Sequence, residues 1–113
     1  MTEYQKPSDI ATVPTLLALA APEAQAFLAF NQAADREDGA IPRKYRELIA
    51  LGVALAAPCA YCIDVHTGRA RALGVTKEEL AEAAFVASAV RAGAVLAHSL
   101  MALRLFEAEP KSG

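Results

Sequence analysis

The sequence predicts an all-α fold, and three observations carry that expectation. Of the 113 residues, 27 are alanine and 13 leucine, two of the strongest helix formers. No stretch alternates apolar and polar residues as a half-buried strand would. Prolines, glycines and one capping motif punctuate the chain at helix-length intervals.

Residues 1–7 read as a flexible arm. Ser8 to Ala20 is apolar but interrupted by Pro14, which predicts short helical pieces. Pro22 suits a first helical position and opens a helix through Phe27 and Phe30 to about Arg36, where Asp35-Arg36-Glu37-Asp38-Gly39 stops it. A third helix spans Pro42 to about Ala56, and Pro58 ends it, because the residue before proline avoids the α region. A fourth begins near Cys59 and stops at Gly74, a natural left-handed terminator. Thr76-Lys77-Glu78-Glu79 is a capping box. The helix it starts runs to about Arg91, with a break expected near Gly93 and a last helix over Val95 to Phe106. That makes five to six helices.

Length fits a single domain covering residues 1–113. The hydrophobic fraction of 55% is more than so small a chain can hide alone, which predicts a homo-oligomer. Eleven basic against thirteen acidic residues give a net charge of −2, and basic residues cluster only as Arg43-Lys44-Tyr45-Arg46. The chain therefore lacks the electrostatic footprint of a nucleic-acid binder. Ala83 to Leu103 is a 21-residue, alanine-rich stretch with one charge, Arg91. A charge mid-span costs about 2.5–3.5 kcal/mol in a bilayer, so a packed helix is expected there rather than a membrane span. The polar start Met1-Thr2-Glu3-Tyr4-Gln5-Lys6 has no signal-like apolar core, which points to a cytoplasmic protein.

The chemistry concentrates between Glu47 and His66. Cys59 and Cys62 form a C-x-x-C, which in a reducing compartment is more often catalytic or metal-binding than structural. On a helix starting at Cys59, Cys62 falls near 300° and His66 near 340°, so two sulfurs and an imidazole share one stripe. Tyr61 and Asp64 point elsewhere. Free amides at a helix start favour thiolates, and a nearby histidine can exchange their protons. Pro58 sets the approach of the chain, so Cys59 can leave helical angles. The pair can then cycle between dithiol and disulfide. Glu47 stands 12 residues before Cys59, at the edge of a charge-free run from Leu48 to Ile63. A tight link at Ala57-Pro58 predicts antiparallel packing, which brings Glu47 towards the face bearing His66. A carboxylate there suits proton exchange with histidine.

Glu47 together with Cys59-Ala60-Tyr61-Cys62-Ile63-Asp64-Val65-His66 resembles the signature of the alkylhydroperoxidase (AhpD-like) core within the carboxymuconolactone decarboxylase superfamily. Arg46-Glu47-Leu48-Ile49-Ala50-Leu51 and Gly74-Val75-Thr76-Lys77-Glu78-Glu79-Leu80 extend the likeness. It is strong over 42–80, and the helical order carries it across 22–106. The resemblance implies an all-α domain assembling as a homotrimer or homohexamer, with peroxidase or disulfide-reductase activity. It assigns a redox-active disulfide to Cys59 and Cys62, and a proton relay to Glu47 and His66. It implies no resident cofactor or metal: a peroxide or a partner-protein disulfide is the substrate, and an external thiol or dithiol the electron donor. Tyr61 departs from the pattern, since the best-studied alkylhydroperoxidase has a second histidine there. A phenol of pKa about 10 does not shuttle protons as imidazole does.

Three alternatives stand beside this reading. Cys59, Cys62 and His66 are the right types for a Cys2His zinc site. Glu47 and His66 could serve a carboxymuconolactone-type lyase as acid and base. The chain could be a non-enzymatic oligomeric module with two buried cysteines. Away from this segment, Arg91 is expected to pair with a carboxylate. His98 is expected in a core or interface, and Ala83, Ala87, Val90 and Ala94 in close helix packing.

Overall fold

A computed structural model describes residues 4–108 and 110. It contains five α-helices and one 3-10 helix, with no strand among the described residues. The 3-10 helix spans Pro7–Thr12, followed by α1 (Val13–Leu19), α2 (Ala21–Ala34), α3 (Arg43–Ala56), α4 (Ala60–Ala72) and α5 (Lys77–Glu107). Of the expected N-terminal arm, Met1–Glu3 lie outside the described residues, and Pro7 already opens the 3-10 helix.

The punctuation acts where it was expected to. Pro14 sits in the first turn of α1 and Pro22 in that of α2, where a missing N–H costs no intrahelical bond. Pro42 precedes α3 as its cap residue. Gly74 has φ +81°, the left-handed region that a β-carbon disfavours. It follows α4 and turns the chain into α5. There Thr76 Oγ1 accepts from the Glu79 amide (3.1 Å) while the Glu79 carboxylate accepts from the Thr76 amide (2.9 Å).

One expected break is absent. Gly93 does not break the last helix: α5 runs unbroken for 31 residues. A lone glycine costs a helix about 1 kcal/mol, and the alanines and leucines on either side outweigh it.

α3 is the hub of the fold, packing on both α4 and α5. Its buried side chains are Glu47, Leu51 and Ala54, joined by Ala70 of α4. On the other flank small residues permit close approach, Gly52 facing Ala87 of α5. Side-chain bonds fix the ends. Arg46 donates to the Ala34 carbonyl (2.7 Å) and the Ile41 carbonyl (2.8 Å), stapling the loop between α2 and α3. A β-carbon at Gly39 would run into that guanidinium. Lys44 pairs with Glu79 at 3.0 Å, and Arg69 with Asp35 at 3.3 Å.

Little else is covered. Phe27, Phe30, Phe85, Val90, Leu96, Leu100 and Phe106 are all exposed. Length and composition alone would let α5 cross a membrane, but Arg91 sits near its middle. Arg91 has no carboxylate partner among the described residues, and His98 is exposed rather than in a core.

Candidate functional site

The site is assembled by the α3–α4 hairpin. The two helices are joined by Ala57, Pro58 and Cys59, with the Cys59 amide donating to the Ala54 carbonyl at 3.1 Å. Cys59 itself caps α4 in an extended conformation (φ −140°, ψ 101°). This release from helical angles lets its sulfur turn back over the first turn, where Cys59 and Cys62 form a disulfide with Cα atoms 5.3 Å apart. Cys59 Sγ also accepts from the Cys62 amide at 3.2 Å. A backbone N–H aimed at a sulfur on a helix N-terminus favours negative charge on that sulfur once the bond opens.

One turn beyond Cys62, His66 meets Glu47. The His66 Nδ1 and Glu47 Oε2 atoms are 2.7 Å apart. Glu47 is 1% exposed and the His66 side chain 22%. The imidazole thus lies between a closed interior and the half-buried surface carrying the cysteines. A carboxylate taken out of water needs a hydrogen-bonded partner, and His66 supplies it. With Nδ1 engaged by the carboxylate, Nε2 is the ring nitrogen without a hydrogen bond among the described residues. The expected antiparallel approach of α3 to α4 therefore holds, and the structure brings the four predicted residues into two pairs: Cys59 with Cys62 at the start of α4, and His66 one turn on with Glu47 of α3.

Tyr61 has a different engagement. Its hydroxyl donates to Asp9 Oδ2 at 2.7 Å, tying α4 to the N-terminal 3-10 helix. Asp9 Oδ2 accepts from the Lys6 amide as well, at 3.0 Å. The Tyr61 hydrogen bond, then the Lys6 amide, hold the Asp9 carboxyl below its usual range. The same bond, with some burial, pushes the Tyr61 phenol up, because ionisation would destroy the donor. Asp9 is a contact of Tyr61 that sequence reasoning missed. It lies 52 positions from Tyr61, and no local periodicity links the two.

The two sulfurs are bonded to each other, and among the described residues no group of three His, Cys, Asp or Glu side chains converges to hold an ion.

Fold and site together define a small all-α protein with a sulfur pair at one helix start and, one turn on, a histidine hydrogen-bonded to a buried glutamate. Residues 22–105 match the carboxymuconolactone decarboxylase family, and the chain belongs to it. A protein of Paracoccus denitrificans, described as uncharacterized protein 4 in the cox locus, is 40% identical over 82 residues, 73% of each chain. The crystal structure of a protein from Methanobacterium thermoautotrophicum is similar with a TM-score of 0.72 at 30% identity, covering 80% of this chain and 97% of that one.

Proposed function

We propose that the protein is a thiol-dependent peroxidase or disulfide oxidoreductase of the alkylhydroperoxidase type, acting in the cytoplasm as a homo-oligomer. The observation that carries this reading is the Cys59–Cys62 bond on the first turn of α4, with the Glu47–His66 pair one turn away. In the reduced protein one thiolate attacks a peroxide oxygen. The O–O bond breaks, the sulfur becomes a sulfenic acid, and the departing alkoxide takes a proton to leave as an alcohol. The second thiol attacks the sulfenic sulfur, forming the disulfide and releasing water. Two external thiols, or one dithiol, then reduce that bond and are themselves oxidised to a disulfide. A partner-protein disulfide can replace the peroxide, with exchange in place of sulfenic acid formation.

His66 exchanges the protons through its free nitrogen, and Glu47 holds the ring in one tautomer and balances the imidazolium. Catalytic roles thus fall on Cys59, Cys62, His66 and Glu47. No resident cofactor or metal is required, since the electrons come from the external thiol.

Peroxide consumption by the reduced protein, driven by a dithiol such as dithiothreitol, tests the reading. Cys59→Ser and Cys62→Ser are each expected to lose turnover, and one of them to trap a mixed disulfide with the reductant. Full turnover in both variants would overturn it. Lactone-cleaving activity indifferent to thiol alkylation would transfer the site to the lyase reading, with Glu47 and His66 as acid and base.

A further inference from the structure

We propose that Asp9 is a positioning residue for the cysteine pair: through Tyr61 it couples docking of the N-terminal 3-10 helix to formation of the Cys59–Cys62 bond. The inference rests on the reading of those cysteines as a cycling pair. Tyr61 lies inside the four-residue ring that the sulfur bond closes, between Ala60 and Cys62. While the ring is closed, Cys59 is held extended at the cap and the first turn of α4 has one shape. That shape aims the Tyr61 hydroxyl at Asp9. Among the described residues, this is the one side-chain hydrogen bond joining Lys6–Thr12 to the rest of the protein; the bonds of Lys6 and Thr12 to Asp9 are internal to that segment.

Reduction by two external thiols opens the ring, leaving two cysteine thiols and the reductant's disulfide. The first turn of a helix has few backbone bonds of its own. Without the ring, Cys59 regains backbone freedom and Tyr61 spreads over more orientations, so holding it against Asp9 costs more entropy. The bond is available in both redox states near neutral pH, because Asp9 stays ionised and Tyr61 stays protonated. The switch is therefore redox-driven rather than pH-driven. Coupling is reciprocal: whatever the disulfide contributes to docking, docking contributes to the disulfide.

Two measurements on the full chain test this. Backbone amides of residues 8–12 are expected to exchange hydrogen faster after reduction than before it, with no substitution needed. Tyr61→Phe and Asp9→Ala are each expected to weaken the disulfide about fivefold against a glutathione or dithiothreitol couple, raising its midpoint potential by about 20 mV. The double variant is expected to match the singles, since all three remove the same bond. Exchange indifferent to redox state, or a Tyr61→Phe potential equal to that of the unaltered protein, overturns the coupling. A pair that cycles with these shifts but consumes no peroxide overturns the peroxidase reading alone. A pair that cannot be reduced and reformed overturns both.

Discussion

Glu47 is 1% exposed, and its side chain meets His66 at 2.7 Å from within the α3–α4 interface. A residue kept only for stability at that position would be better served by leucine or methionine, because burying a charge is costly even when it is paired. Its place there fits the proton chemistry proposed for the site. Glu47→Gln keeps the volume and removes the charge; peroxide turnover is expected to fall about 100-fold, in the range that positioned acid–base groups contribute. Folding is expected to survive, as judged by circular dichroism and a urea melt. The Asp9–Tyr61 pair makes a second prediction at this scale. The Asp9 carboxyl is held below 3.8 by the Tyr61 hydrogen bond and the Lys6 amide. A depressed folded value means its contribution is present above the unfolded value and lost as pH falls through the folded one. Tyr61 is raised above 10.0, so its share persists through neutrality and is lost only as pH rises past that raised value. Denaturant midpoints followed from about pH 5 down to about pH 2 are expected to fall less steeply in Tyr61→Phe than in the unaltered protein.

Helices start and stop in this chain on single residues, and two glycines show how position sets the sign of one substitution. Gly74 has φ +81°; Gly74→Ala forces a β-carbon into the left-handed region and is expected to cost about 1–2 kcal/mol. Gly93 lies inside α5 with open space around it; Gly93→Ala is expected to stabilise by about 0.5–1 kcal/mol, the usual gain in a helix interior. Guanidinium unfolding midpoints of the two variants should move in opposite directions. At the same junction Thr76→Ala removes the Oγ1 acceptor of the Glu79 amide and is expected to cost about 1 kcal/mol.

The protein as a whole is too open for its length. A compact 113-residue chain has a radius of gyration of about 13 Å against 19.3 Å here. A monomer of 11.9 kDa exposes about 5,900 Å², whereas this chain exposes 9204 Å². The excess, about 3,000 Å², exceeds what a stable protein interface buries. Its composition is apolar: a groove of about 540 Å³ between α3 and α5 is lined by Ile49, Val53, Val86 and Val90, with Arg91 at its edge. The distal half of α5 carries Leu96, Leu100, Leu103 and Phe106 into solvent. The homo-oligomer proposed above would place a second copy of the chain on these faces. Light scattering is expected to give a multiple of 11.9 kDa, and Val90→Glu, placed in the groove, to shift the population towards monomer. A monomer at micromolar concentration in the unaltered protein would refute this.

Local chemistry decides a great deal here, and it was all visible in the residues. Helix propensity, proline and glycine placement and the Thr76–Glu79 box set the elements within a residue or two, since each acts over one turn. The 100° step of a helix put Cys62 and His66 on one stripe with Cys59 capping its start, and the short Ala57-Pro58 link brought Glu47 to His66. Continuity of α5 through Gly93 was not visible, because it depends on a sum of small propensities over many residues rather than on one strong signal. Asp9 was out of reach for a different reason: a bond between positions 9 and 61 is decided by where the chain returns in space, and no pattern of period two or 3.6 records that. Only the tertiary structure could show that the tyrosine between the cysteines is held by the N-terminal segment.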